Sequence, residues 1–183
     1  MIDVKEVLEE SLPVLTICAA ISVLSGAFLG DNQELFRTLP GILVIVPSFI
    51  AVNGNISSVM SSRLSSALHT GLIKPHFRGK GVLRVNIFSM ILIASVVFTV
   101  LGFVGGAINY AISGEAFSVE VFPMITLVAG LVTVSILLVG SILTSYLTYR
   151  RGLDPDNVVV PILTTVGDFV GIVVLLLIAG VVI

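Results

Sequence analysis

The sequence predicts an all-α integral membrane protein with five transmembrane helices per subunit. Of the 183 residues, 56% are hydrophobic and 11% are charged, and the mean hydropathy is +1.17. Soluble domains carry about 25% charged residues, so this composition excludes an ordinary soluble domain. Five apolar stretches approach or exceed the ~20 residues that a membrane-crossing helix needs. Cys18 is the only cysteine, which excludes a disulfide framework and a cysteine metal site.

The first ten residues are acidic, and we predict that residues 1–11 form a cytoplasmic amphipathic segment ahead of a membrane domain over residues 12–183. A frayed terminus is the alternative. A secretory signal would begin with positive charge, so we interpret the first apolar stretch, about Leu12–Gly30, as a retained helix. Pro13 suits its first turn. A short polar connection, residues 31–38, follows.

The second span runs from about Leu39 past Met60 and is not a simple apolar helix. Pro47 removes a backbone hydrogen bond partway along it. The segment Asn53-Gly54-Asn55 then places two carboxamides at membrane depth, where they need partners. The serines that follow, Ser58 among them, can instead bond back to helix carbonyls.

The third and fourth spans are predicted at about Val85–Tyr110 and Val121–Tyr149, joined by an acidic loop. A basic loop, residues 69–84, precedes the third span. Eight Lys and Arg residues fall on the side of this loop and one on the other, if the N-terminus starts on the basic side. The positive-inside rule therefore predicts a multi-pass protein of the cell membrane with a cytoplasmic N-terminus and an extracytoplasmic C-terminus. The rule accounts for the basic loop without any nucleic-acid partner.

The fifth span begins near Val158, and Asp168 is the only charged residue from there to the C-terminus. A carboxylate at the centre of a membrane helix costs at least roughly 2.5–3.5 kcal/mol, so it tends to face a cavity, a partner or an ion. At ~1.5 Å per residue, about ten residues of helix place Asp168 near the middle of a ~30 Å hydrocarbon core.

The second and fifth spans share a pattern in which a proline precedes a glycine that is followed at once by an oxygen-bearing side chain. The two versions are Pro47 with Gly54-Asn55 and Pro161 with Gly167-Asp168. Paired segments that Gly and Pro interrupt are the best sequence indication of a substrate site in transporters. We therefore predict that both helices are interrupted and that together they line the site.

One face of the fifth helix offers oxygen ligands, because helical spacing aligns Pro161, Thr164, Thr165, Asp168 and Gly171. Hydroxyls, carbonyls and a carboxylate suit Mg²⁺ or Ca²⁺ rather than Zn²⁺ or Cu²⁺. In a twofold dimer, two copies of Asp168 would meet across the axis and could share a partly hydrated cation. The alternative is a protonated Asp168 that hydrogen-bonds a Ser or Thr of another span.

The segment from Pro47 through Asn53-Gly54-Asn55 to Gly71 resembles the first signature of the MgtE-type magnesium channel and transporter family, and the segment Asp154–Asp168 resembles the second. The residues of both segments are most similar to the solute carrier family 41 branch. The resemblance implies an MgtE-like homodimer whose Mg²⁺ pathway is lined by the second and fifth helices of both subunits. It implies Asp168 as the pore ligand.

The predicted site follows from the patterns and from this resemblance together. The metal positions are Asp168, Asn55, Thr164 and Thr165. Pore-lining or hinge positions are Pro47, Asn53, Gly54, Ser58, Pro161, Gly167 and Gly171. The cytoplasmic mouth is assigned to Asp154, Asp156 and Asn157.

The sequence shows one membrane unit where the animal solute carriers have two, and it shows no cytoplasmic Mg²⁺-sensing domains such as the bacterial CBS pair. We therefore expect a homodimer, with Mg²⁺ as the bound and transported ion and no organic cofactor. Two alternatives stay open: an exchanger coupled to Na⁺ or H⁺, and a non-transporting membrane subunit of a larger complex. No HExxH, GxSxG or P-loop motif is present, so we do not predict an enzyme.

Overall fold

The computed structural model describes residues 4–71, 80–114, 117–151 and 155–182, and regular structure in these ranges is entirely helical. The helices are α1 (Val4–Asp31), α2 (Gln33–Thr38), α3 (Pro40–His69), α4 (Lys80–Ser113), α5 (Phe117–Arg151) and α6 (Pro155–Val182). All except the short α2 are long and apolar enough to cross a membrane, which makes five candidate spans in the described chain. The predicted all-α membrane architecture is confirmed.

Helices α3, α5 and α6 contact one another and form the centre of the bundle. Helix α4 packs along α3 and α5, whereas α1 packs along α6. The rings of Phe49 and Phe98 meet in the core with centroids 5.0 Å apart. Other large side chains with almost no exposed surface are Ile42, Met60, Met90, Phe122, Ile125 and Leu175. The site-bearing helices α3 and α6 thus belong to the centre of the bundle.

Glycines let α4 and α5 approach closely. A Cβ on Gly102 would overlap Pro123, and a Cβ on Gly130 would overlap the Phe98 ring. Thr126 Oγ1 also donates a hydrogen bond to the Phe98 carbonyl across the two helices, at 2.8 Å. Small residues at helix interfaces are typical of membrane bundles, where apolar burial alone does not drive association.

The predicted interruptions at Pro47 and Pro161 are wrong, because α3 and α6 continue as α-helices through both prolines. Each proline removes only one backbone hydrogen bond. A break would leave several polar backbone groups unsatisfied in hydrocarbon, so the continuous helix is favoured. Pro13 likewise lies inside α1 rather than in its first turn, since the helix already begins at Val4.

Two predicted loops are shorter than expected. The connection over residues 31–38 contains α2, and α4 already begins at Lys80, so Lys80 and Arg84 are helical. Lys and Arg are good helix formers and extend their charged ends toward water, so a basic stretch ends an apolar span without ending the helix. Residues 72–79 of the basic loop lie outside the described ranges.

Candidate functional site

Asp168 is the eleventh of the 25 residues in the span Val158–Val182, close to its midpoint. Its side chain is half-buried. Within the described part of the chain, no hydrogen bond or ion pair involves the Asp168 carboxylate. The Ser or Thr partner that the alternative interpretation required is therefore not found in one protomer.

Thr164 is an α6 side chain that faces α3 at Gly54. A Cβ built on Gly54 would lie 3.6 Å from Thr164 Cγ2, so the glycine lies directly opposite this threonine. The Thr164 hydroxyl donates to the carbonyls of Val160 and Pro161, each at 3.0 Å. A hydroxyl that donates its proton to the backbone keeps its oxygen lone pairs for another partner.

Thr165 does not share the setting of Thr164, because it is only 7% exposed. The two adjacent threonines lie about 100° apart around the helix, so only one of them can face a given neighbour. Thr165 is directed into the protomer. The structure therefore separates a pair that the sequence treats as one.

Asn53 is the buried carboxamide at the contact between α3 and α6. It has no exposed surface, and its Nδ2 donates to the Phe49 carbonyl at 3.0 Å. A Cβ on Gly171 would lie 3.3 Å from Asn53 Nδ2, so this glycine makes room for the carboxamide. Asn53 Oδ1 is buried without a hydrogen-bond partner among the described residues. Buried oxygens of this kind are normally satisfied by protein, water or an ion.

Asn55 lies elsewhere. It is exposed and lines a cavity between α3 and α4 rather than the contact with α6. Ser58 is half-buried and donates to the Gly54 carbonyl at 2.8 Å, as expected for a serine that bonds back to its own helix. The structure therefore does not bring Asn55 and Asp168 together within one protomer.

The remaining predicted pore-lining or hinge positions pack against other helices or face outward. Gly167 faces α5, where a Cβ would lie 3.0 Å from Leu137 Cδ1. The Pro161 carbonyl accepts a hydrogen bond from Cys18 Sγ of α1 at 3.4 Å, and Pro47 is exposed.

The predicted cytoplasmic mouth is not part of this geometry. Asp154 and the side chains of Asp156 and Asn157 lie outside the part of the chain that the structure describes.

Helix α5 also contributes to the contact between α3 and α6, which the sequence pattern does not indicate. The buried Thr133 has its Cγ2 3.8 Å from a Cβ built on Gly171, and its hydroxyl donates to the Ala129 carbonyl at 2.8 Å. Several Ser and Thr residues occur along the same span, and nothing in the sequence distinguishes Thr133 from them. Only the packing of α5 against α3 and α6 selects it.

No group of three or more His, Cys, Asp or Glu side chains that could hold a metal ion occurs among the described residues. The mid-membrane region of α6 offers the Asp168 carboxylate and, four residues earlier on the same helix, the Thr164 hydroxyl. Fold and site together define a multi-pass membrane protein with an oxygen-bearing polar site near the middle of its last described span.

Comparison with known proteins gives the family. Residues 46–178 match the MgtE family, described as a divalent cation transporter. The match includes most of α3 and most of α6, with Asp168 inside it, and it covers well over half of the chain. The protein belongs to the MgtE divalent cation transporter family. Because this is a family of transporters, the prediction that the chain is not an enzyme is confirmed.

The relatives are solute carriers. Solute carrier family 41 member 3 of Mus musculus is 34% identical over 149 residues, which cover 72% of this chain and 29% of the relative. Member 3 of Rattus norvegicus is 29% identical over 175 residues, with 86% and 36% covered. Member 2 of Homo sapiens is 25% identical over 155 residues, with 79% and 26% covered. The chain therefore matches roughly a third or less of the length of these relatives, and the resemblance to the solute carrier branch is confirmed.

Proposed function

We propose that this chain transports a divalent cation along a pathway lined by α3 and α6 of a homodimer, and that this cation is Mg²⁺. Asp168 is the central ligand in this proposal. The observation that supports it is a carboxylate near mid-membrane that no described residue of its own protomer neutralises. A carboxylate at that depth is costly without a counter-charge, and a divalent cation supplies one.

A second copy of the chain is part of the proposal because one carboxylate makes a poor divalent site. Two Asp168 side chains across a twofold axis repel each other, and a cation between them relieves the repulsion. Mg²⁺ prefers octahedral oxygen ligands and usually keeps several waters, so two carboxylates and a wet cavity suit it. The Thr164 hydroxyl oxygen adds a neutral ligand on the same helix.

Asn55 is not used as a ligand in this proposal. Its exposed carboxamide lines the cavity between α3 and α4, on the outside of the protomer. Asn53, which is fully buried inside the protomer, would support the α3–α6 contact rather than line the pathway. We further propose that the N-terminus is cytoplasmic, and that Asp154, Asp156 and Asn157 then lie at the cytoplasmic mouth.

The test is Mg²⁺ influx into liposomes that contain the purified protein and a Mg²⁺-sensitive dye. We expect Asp168→Asn to reduce influx by about tenfold or more, since loss of even an outer-shell group at a metal site costs that much. Asp31→Asn is the matched control, because it removes an equal charge at the exposed end of α1. Equal influx in wild type and Asp168→Asn would refute Asp168 as the ligand.

The same liposomes distinguish a channel from an exchanger. Influx that persists without a Na⁺ or H⁺ gradient supports a channel, whereas influx that stops on removal of one gradient identifies the coupled mechanism. The dimer is tested separately by the mass of the protein in lipid nanodiscs. Full influx from a protein that is monomeric there would contradict a pathway shared between two subunits.

A further inference from the structure

Arg63 lies where two cavities between α3 and α4 meet, and it lines both. The first has a volume of about 300 Å³. The Asn55 carboxamide of α3 forms part of its lining. Its apolar walls come from three side chains of each helix: Val52, Ile56, Val59, Met90, Ile93 and Val97. The second has a volume of about 450 Å³. Its polar side chains are Ser62, Ser66, Thr70 and Asn86.

Among the described residues, no carboxylate neutralises the charge of Arg63. Its side chain is exposed, and no carboxylate of the described residues pairs with it. Its only side-chain hydrogen bond in the described structure is a long one, 3.4 Å from Nη1 to Asn86 Oδ1 of α4. This bond directs the guanidinium toward Asn86, which lines the second cavity.

The position of Arg63 along α3 places it below the end of the span. It precedes the last helical residue, His69, by six residues, which is about 9 Å of helix. An arginine at such a depth extends toward the interface and favours an anionic partner there. The apolar cavity lies on the deeper side, next to Val52 and Val59, and the polar cavity lies on the side of Thr70.

This order of apolar groove, cation and polar pocket matches the parts of a phospholipid. We propose that an anionic phospholipid binds between α3 and α4, with its phosphate on Arg63 and one acyl chain along the apolar groove. The hydroxyls of Ser62, Ser66 and Thr70 then face the head group. Basic pockets between transmembrane helices are known to bind anionic head groups. A free phosphate would leave the apolar cavity unused, and a choline head group would bring its own cation beside Arg63.

The first test titrates the full chain, purified in a neutral detergent, with dioleoylphosphatidylglycerol or with dioleoylphosphatidylcholine, and counts bound lipid by native mass spectrometry. We expect the protein to retain more phosphatidylglycerol than phosphatidylcholine. Arg63→Gln should weaken its binding about fivefold, which corresponds to the loss of one basic contact near the surface. Arg84→Gln is the matched control, because Arg84 is exposed on α4 and lines neither cavity.

A second variant tests the acyl-chain half. Val59→Trp fills the apolar groove from an exposed position and leaves every charge in place, so it should also reduce retention of phosphatidylglycerol. Helical content and melting temperature without added lipid identify any variant that fails to fold. If Arg63→Gln or Val59→Trp fails to fold, lipid retention by the remaining one of the two tests the proposal. Three results would each overturn the proposal: equal loss in Arg63→Gln and Arg84→Gln, equal retention of phosphatidylcholine, or displacement of the lipid by inorganic phosphate alone. Dissociation of a dimer by Val59→Trp would instead assign the groove to a second copy of the chain, and would overturn it too.

Discussion

Asp168 and Asn53 each carry an oxygen that lacks a partner in the described protomer, but they differ in what that implies. The Asp168 carboxylate is half-buried and therefore open to something from outside. The Asn53 oxygen is sealed inside, beside the Gly171 backbone. This difference supports the proposal that Asp168 binds a ligand, whereas we expect Asn53 to make the α3–α6 contact sensitive to small displacements.

Gly171 and Gly54 provide a prediction at this contact. A Cβ at Gly171 would lie 3.3 Å from Asn53 Nδ2, so the carboxamide must shift, whereas a Cβ at Gly54 meets Thr164 at an ordinary 3.6 Å. We expect Gly171→Ala to lower the free energy of unfolding by about 1 kcal/mol or more through overpacking. Gly54→Ala should stay close to wild type. Melting temperatures in detergent measure both, and equal values for the two variants would contradict this geometry.

Residue positions were predictable only in part. The depth of Asp168 follows from its isolation in an apolar stretch, and the structure places it near the midpoint of the span. The sequence could not say which carboxamide, Asn53 or Asn55, faces α6. Both lie on the same helix, and the rotation of α3 is set by how its whole face packs against α4, α5 and α6.

Helix α3 begins with help from another helix. Leu39, its N-cap, makes no side-chain cap hydrogen bond, although the first N–H groups of any helix lack internal partners. Gly41 N donates instead to Asn109 Oδ1 of α4, at 2.8 Å. The start of α3 is thus fixed to α4 by a buried hydrogen bond between residues far apart in sequence.

Removal of the Asn109 side chain, which caps α3 from α4, gives a prediction for the stability of α3. Asn109→Ala leaves the Gly41 N–H buried without its acceptor, so we expect a loss of about 1–3 kcal/mol in the free energy of unfolding. The control is Asn32→Ala, because the Asn32 carboxamide donates only to the nearby Phe28 carbonyl at 2.8 Å. Unfolding by a denaturant in mixed micelles measures the difference. An Asn109→Ala protein as stable as the Asn32→Ala protein would show that water replaces the cap.

Helix existence was predictable and helix continuity was not. Apolar length alone locates the five spans, because hydrocarbon thickness sets the number of residues a helix needs. The breaks expected at Pro47 and Pro161 do not occur. The sequence pattern shows the lost hydrogen bond but not the helices that pack against α3 and α6.

At the scale of the whole molecule, the distribution of Lys and Arg predicts its orientation. Cys18 is buried, so Cys18→Ser gives a background without cysteine. In that background we expect Gln33→Cys, between α1 and α3, to react with an impermeant maleimide added outside intact cells. Thr70→Cys, at the end of α3, should react only after the cells are opened. The reverse pattern would invert the proposed topology and place Asp154 outside.

The proposed dimer also belongs to this scale, and it would explain why the site could be named but not assembled from the sequence. Within one protomer Thr164 lies opposite Gly54, and Asn53 lies beside Gly171. Asp168 does not meet Asn55 there, and in the proposed dimer its partner is the second copy of Asp168.

The contact of α1 with α6 has a consequence for biosynthesis. The hydrogen bond from Cys18 to the Pro161 carbonyl joins residues 143 positions apart, and the rings of Phe28 and Phe169 meet with centroids 6.3 Å apart. Of the five spans, α1 leaves the ribosome first and α6 last. The first of these five helices to enter the bilayer must therefore wait there until the helix that carries Asp168 arrives. Docking of α1 against α6 therefore follows insertion of the helix that carries the costly carboxylate, late in the assembly of the five spans.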